Sequence, residues 1–239
     1  MKTNMRRMLP LFLLAAALPA FADIVEASLT RPTAGPGLIE VQPSVVGLGP
    51  FAGSGYSVTT IGLADNQGAV RGASGGNYAI PVAGRSGATN EYLLGGFNSG
   101  LTTVAGDSGI YFSTGNTGTI NIHFVAPQRS FALLWGSIDV PNSLSLSGDG
   151  SLTITGAEVQ AATAHFTTDG SQTYGGSAWV VITPGFAFDD VTVRSGVVSF
   201  EFAGAAGGTF HVPEPSAALL LAVMGGVLLA LMSVRKRLA

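Results

Sequence analysis

The chain has 239 residues, no cysteine and a formal net charge of −3 at pH 7. The absence of cysteine excludes a disulfide scaffold and a thiolate-bound structural zinc, so apolar burial must stabilise the fold. All 14 acids but only five of the 11 cations lie between Asp23 and Glu214, which gives that segment a net charge of −9. Such an acidic surface repels nucleic acid and anionic lipid, so we expect no nucleic-acid partner.

The first 22 residues have the three zones of a secretory signal peptide. Three cations precede an apolar run of eight residues at 11–18, which is too short to span a membrane as a mature helix. Ala20 and Ala22 then form the small-x-small pattern that signal peptidase cleaves. The sequence therefore predicts export across the inner membrane and a mature chain that starts at Asp23.

The segment 23–211 is dominated by apolar residues that recur at every second position, which favours β-strands. Glycine-containing turns separate them, and almost no stretch has the period of an amphipathic helix. Strands are predicted at 38–46, 56–63, 119–124, 130–138, 143–156 (a hairpin that turns at 148–150), 177–183, 188–194 and 197–202. We expect an all-β ectodomain, an antiparallel β-sandwich or a jelly-roll-like fold.

Two of these strands carry more detailed expectations. The segment 130–138 is apolar on both faces, which predicts a central strand that is covered on both sides. In 197–202, Phe200 and Phe202 share one face with Val198, while Ser199 and Glu201 share the other. A tight link at 194–196 is expected to join this strand to the one before it.

The C-terminal segment 212–239 predicts a membrane helix. Residues 216–234 contain no charge and would span about 28 Å as a helix, close to the thickness of the hydrocarbon core. Arg235, Lys236 and Arg237 follow directly and form a stop-transfer signal, because clustered cations stay in the cytoplasm. The predicted topology is a transient single-pass anchor with a cytoplasmic C-terminus.

Pro213, Glu214 and Pro215 stand immediately before this helix. Together with the helix and the basic end, they resemble the PEP-CTERM sorting signal of Gram-negative bacteria. The resemblance implies recognition by an exosortase, removal of the tail, and delivery to the cell surface or extracellular matrix, as in a biofilm. The prolines keep the junction extended, as a protease cleft commonly requires. Glu214 would be the side chain that the enzyme recognises. An ordinary membrane anchor with a stiff proline junction is the alternative.

The ectodomain carries a second resemblance. The stretches FALLWGSID at 131–139, SLSLSGDG at 143–150 and VVSFEFAG at 197–204 resemble a group of exosortase-dependent β-sandwich surface proteins. That group often has an acidic FEFDN-like ending near its last strand. Here Phe202 is followed by Ala203 and Gly204 in place of the Asp-Asn pair.

Candidate chemical sites are sparse in the sequence, and we expect no enzyme, cofactor or metal. The three histidines are far apart and lack metal-ligand spacing; His123 should face solvent, and His211 should lie in a stalk before the membrane. Asp189 and Asp190 are the obvious carboxylate pair for a glycosidase, but neighbours in a strand point to opposite faces. Loop oxygens around Asp149 and Asp65 offer at most a calcium site without a defined ligand set.

Two functional classes remain. The first is a structural or adhesive component of the cell surface, and the alternative is a lectin-like module that binds exopolysaccharide. Sugar rings stack on exposed aromatic faces, so aromatic residues discriminate between the two classes. The candidates in loops or at strand edges are Tyr56, Tyr78, Tyr92, Phe97, Tyr111 and Tyr174, whereas Trp135 and Trp179 are expected in the core.

Overall fold

The fold is almost entirely β. The computed structural model describes residues 24–28, 31–43, 45–64, 67–72, 78, 80–83, 91–93, 101–103, 110–163, 176–196 and 199–211. The first nine strands are β1 (Ile24–Ser28), β2 (Thr33–Ala34), β3 (Ile39–Val41), β4 (Phe51–Gly53), β5 (Tyr56–Ile61), β6 (Gly68–Arg71), β7 (Val82–Ala83), β8 (Glu91–Leu93) and β9 (Leu101–Thr103). The others are β10 (Ile110–Thr114), β11 (Thr119–Gln128), β12 (Ser130–Gly136), β13 (Ser143–Gly148), β14 (Ser151–Thr155), β15 (Ala178–Thr183), β16 (Phe188–Arg194), β17 (Phe200–Gly208) and β18 (Phe210–His211), with one helix, α1 (Gly156–Ala162).

Two antiparallel sheets form the body of the sandwich. The first, sheet A, has the strand order β1-β15-β12-β17-β10-β6, and β3 also pairs with β17. The second, sheet B, has the order β14-β13-β16-β11-β5-β4. Two small additions complete the described fold: a three-stranded sheet of β7, β8 and β9, and a two-stranded ribbon of β2 and β18.

The main core lies between the two sheets. Alternate residues of each strand point inward, so Ile120, Ile122 and Phe124 of β11 are fully buried, while His123 between them is exposed. Phe124 of sheet B contacts Phe131 of sheet A edge to face, with ring centroids 6.3 Å apart. Such contacts across the sheets close the sandwich without any covalent link, as the absence of cysteine requires.

The outer face of sheet A is covered as well. A second apolar cluster includes Leu134, Trp179 and Val181, and Tyr78, Ile80 and Phe210 pack against it from outside the sheet. All seven residues of β12 are therefore buried, as predicted for a central strand apolar on both faces.

Most of the long strands were predictable, and the all-β sandwich is confirmed. Strands β11, β12, β15 and β16 and the β13–β14 hairpin lie where the alternation placed them. The predicted strand at 38–46 is wrong in length, because β3 ends at Val41. The last long strand, β17, begins at Phe200 and continues to Gly208, beyond the predicted end at 202.

The link at 194–196 follows β16, as predicted, and the structure adds which sheets it connects. It joins β16 of sheet B to β17 of sheet A, so it crosses between the layers and does not close a hairpin. Helix α1 was not predicted at all. It follows β14 directly and begins at a capping box formed by Thr155 and Glu158.

The predicted terminal helices lie outside the described residues, which begin at 24 and end at 211. Among the helices that the structure describes, none is long and apolar enough to cross a bilayer. The signal peptide at 1–22 and the membrane helix at 216–234 therefore stay predictions.

Candidate functional site

The described domain ends in the β2–β18 ribbon, beside the predicted sorting signal. Phe210 pairs with Ala34 and His211 pairs with Thr33, in antiparallel register. His211 thus belongs to a strand, and the prediction of a stalk there is wrong. The backbone N–H of Gly35 donates to the carbonyl oxygen of Thr209 at 2.7 Å and extends the pairing by one step.

The predicted processing residues lie just outside the range of described residues, which begins at Ile24 and ends at His211. Ala20, Ala22 and Asp23 precede the first described residue, Ile24, which already belongs to β1 and pairs with Thr183. The residues predicted to direct sorting follow the last described residue, His211: Pro213, Glu214, Pro215, Arg235, Lys236 and Arg237. The first described strand therefore starts at Ile24, the residue after the predicted mature start, and the last described strand ends at His211, two positions before Pro213.

A shallow acidic groove of about 410 Å³ lies at one end of sheet B. Asp149 reaches it from the β13–β14 turn, and Asp189 and Asp190 reach it from the start of β16. His123 of β11 lies beside the groove, with its Nδ1 2.9 Å from Oδ1 of Asp190. Both partners of this ion pair are about half exposed, so solvent screens the pair and it adds little stability.

A β-bulge explains why the two neighbouring aspartates share one groove. Ser147 pairs with Asp190 while the next residue, Gly148, pairs with Phe188, so β16 has one extra residue at Asp189. The expected alternation of side chains fails at this point. The prediction that Asp189 and Asp190 point to opposite faces is therefore corrected by the bulge.

The groove does not assemble a recognisable metal site. Among the residues that the structure describes, no group of three or more His, Asp or Glu side chains is arranged to hold a metal ion. Asp65, the other sequence candidate for calcium, lies outside those residues. The acidic groove is thus a solvated polar surface next to a bulge.

A buried polar cluster lies on the outer face of sheet A. Glu201 is fully buried, and the Ser199 hydroxyl donates to its Oε1 at 2.7 Å. Tyr111 lies on the same face and donates to the carbonyl oxygen of Gly72 at 2.5 Å. Burial raises the pKa of the Tyr111 hydroxyl well above its ordinary value, and the charges of Glu201 and Tyr78 raise it further.

This cluster attaches the outer layer to the sheet. The rings of Tyr78 and Tyr111 meet edge to face, with centroids 6.3 Å apart. The sequence correctly assigned Ser199 and Glu201 to the face opposite Phe200, but it did not indicate that this face is buried. The neighbouring strand β12 is apolar on both faces, and this pattern indicates that the outer face of sheet A is covered.

The aromatic candidates for sugar stacking are mostly used in packing where the structure describes them. Tyr56 and Tyr111 are buried, and Trp135 and Trp179 lie in the core as predicted. The Tyr56 hydroxyl donates to the carbonyl oxygen of Gln42 at 3.0 Å, so its polar end is also occupied. The side chains of Tyr92, Phe97 and Tyr174 lie outside the described residues.

Comparisons with known proteins identified no relative: no family model matches the chain, and no curated protein or solved structure gives a significant match.

Proposed function

We propose that this chain is an exported surface protein that an exosortase processes at its C-terminus, with a structural or adhesive role outside the cell. The observation that carries the proposal is the order of the last 27 residues. Pro213-Glu214-Pro215, an uncharged helix-length segment and a cluster of three cations follow one another without interruption. The last described strand ends at His211, so this series follows the described strands and overlaps none of them.

Each part of the signal has a physical role in the proposal. The segment 216–234 stops transfer in the inner membrane, and the cations after it remain in the cytoplasm. Pro213 and Pro215 lack backbone N–H groups and disfavour helix in the residues before them, so the junction stays extended. Glu214 is then a single charged side chain on an extended backbone at the membrane surface, where a membrane-embedded enzyme can bind it.

The domain itself acts, in this proposal, as a compact module without chemistry of its own. The burial of Tyr56 and Tyr111 favours this role over the lectin-like alternative, because buried rings cannot stack on a sugar. The net charge of −9 between residues 23 and 214 keeps such a module soluble and away from anionic membrane surfaces. Both properties suit a component of an extracellular layer.

The test is to express Glu214→Ala, and a variant with all three motif residues changed to alanine, in the organism that encodes the protein. Cell fractionation with an antibody to the domain should then show the variants retained in the inner membrane at full length. The parent should be found at the surface or in the medium. Glu26→Ala, which removes an exposed acid from β1, is the matched control and should be distributed like the parent.

Normal release of the triple variant would overturn the proposal. It would mean that no enzyme recognises the motif and that the C-terminal segment is removed by unrelated proteolysis.

A further inference from the structure

The distance between the folded domain and the sorting motif is very short. His211 is paired with Thr33, and only Val212 separates it from Pro213. Two residues of extended chain span at most about 7 Å. Pro213 is therefore held within that distance of the β2–β18 ribbon while the ribbon is paired.

Proteases bind their substrates as extended strands, with residues on both sides of the bond that is cut. Upstream of the proline motif, Val212 alone lies between the motif and the ribbon. The residues before it are in use: His211 and Phe210 pair with β2, and the Phe210 side chain is half-buried against the outer cluster of sheet A. An enzyme that binds more than one upstream residue competes with β2 for the same segment.

Opening the ribbon removes no strand from either main sheet, although it withdraws Phe210 from the outer cluster of sheet A. Strand β18 has two residues and pairs only with β2 among the described strands, and neither belongs to sheet A or sheet B. The chain leaves β17 at Gly208, whose φ of +154° favours glycine, and β18 then pairs with β2 instead of a strand of sheet A. Short, separately paired segments of this kind belong to the least stable parts of a fold.

We propose that β18 must separate from β2 before the tail is cut, so that opening of this ribbon controls the rate of processing. The inference rests on the proposed function, because it concerns the same sorting signal. It adds a specific requirement: the enzyme binds Phe210 and His211 as part of its substrate, and the folded domain competes for them.

A disulfide across the ribbon tests this directly. Gly35 donates to Thr209, so this opposed pair is hydrogen-bonded and the neighbouring pair, Ala34 and Phe210, is not. Opposed residues of a non-hydrogen-bonded pair have Cα atoms about 4.5 Å apart, within the range that a disulfide bridges. The chain has no other cysteine, so Ala34→Cys with Phe210→Cys can form only this bond within one molecule.

The experiment follows tail removal by pulse labelling in the organism that encodes the protein, or in its isolated membranes. The oxidised double variant should lose its tail more than about tenfold more slowly than the parent, because a disulfide opposes opening of the loop it closes. Dithiothreitol should restore the rate. Ala34→Cys alone should be processed at the rate of the parent. Phe210→Cys alone changes a residue that the enzyme binds, so its rate is the reference against which the oxidised double variant is compared.

A second variant weakens the ribbon. Gly35→Pro removes the N–H that donates to Thr209, and it should raise the processing rate several-fold. Processing of the oxidised double variant at the rate of the parent would overturn the inference while leaving the proposed function intact. A parent chain that keeps its tail in the same assay would instead overturn the proposed function, and the inference with it.

Discussion

At the scale of single residues, the core depends on aromatic side chains between the sheets. Trp135 stacks on Phe200, with ring centroids 4.1 Å apart and an angle of 14° between the planes. Both are fully buried. Trp135 also lowers the free energy of unfolding in one respect, because its Nε1–H is buried and has no hydrogen-bond partner among the described residues.

Two substitutions at Trp135 should separate these effects. Trp135→Ala should lower the free energy of unfolding by about 3–5 kcal/mol, because it removes a large buried ring and leaves a cavity. Trp135→Phe should cost less than about 2 kcal/mol, because removing the unpaired N–H offsets part of the lost packing. Denaturant unfolding of the isolated domain measures both values, with Val125→Ala, at a residue that is 78% exposed, as the neutral control.

Equal losses for the two Trp135 variants would contradict this account. They would show that a phenyl ring at this position recovers none of the stability that the alanine variant loses.

At the scale of elements, the bulge in β16 requires a glycine opposite it. A Cβ on Gly148 would lie 2.6 Å from the carbonyl oxygen of Ala187 and 2.6 Å from the Cα of Phe188, both of which are backbone atoms. We therefore expect Gly148→Ala to destabilise the domain by about 1–3 kcal/mol through overpacking. Ser147→Ala, at the exposed neighbour, should change stability by less than about 0.5 kcal/mol in the same unfolding experiment.

If Gly148→Ala were as stable as the parent, strand β16 would not be bulged at Asp189. The two aspartates would then point to opposite faces, as simple alternation predicts.

Helix α1 should show a pH-dependent cap. The Thr155 N–H donates to Oε2 of Glu158 at 2.7 Å and its hydroxyl donates at 2.8 Å, and these bonds lower the pKa of Glu158 below its ordinary value of 4.5. A lowered folded-state pKa stabilises the fold above the unfolded value, and this contribution is lost as pH falls through the folded value. The parent should therefore have a higher Tm than Glu158→Gln at pH 7, and the difference should shrink as the pH falls well below 4.5.

The reciprocal change tests the other half of the cap. Thr155→Ala should cost about 1 kcal/mol at pH 7, since it removes the side chain that accepts the Glu158 N–H. A Tm difference between parent and Glu158→Gln that persisted unchanged at pH 3 would show that the carboxylate charge plays no part.

The elements differ in how well the sequence predicts them, for physical reasons. In strands such as β11, apolar and polar residues alternate because one face is buried and the other is exposed to solvent. This pattern is visible in the sequence. Strands of two or three residues, such as β2 and β18, are too short for any period to appear. Helix α1 has only seven residues, too few to show a helical period, although its Thr155–Glu158 capping box is visible in the sequence.

At the scale of the whole molecule, the proposed sorting signal and the acidic groove also differ in how far the sequence predicts them. The signal is linear, so its composition and order could be interpreted without a fold. The acidic groove required a bulge in β16 and the approach of the β13–β14 turn, and neither is encoded in a local pattern. The burial of Glu201 likewise depends on the layer outside sheet A, which sequence alternation in one strand cannot reveal.

The described strands lie between the two predicted cuts. Strand β1 starts at Ile24, and strand β18 ends at His211. The predicted cuts therefore remove segments on either side of the sandwich without removing any described strand. A mature chain between these cuts would retain every pairing in sheets A and B.

The most direct test is the intact mass of the protein recovered from the surface or medium of the organism that encodes it. The account predicts a species that starts at Asp23 and ends near Pro215, lacking the segment 216–239. A species that retains Arg235, Lys236 and Arg237 and remains with the inner membrane would contradict it, because the C-terminal segment would then be a permanent anchor.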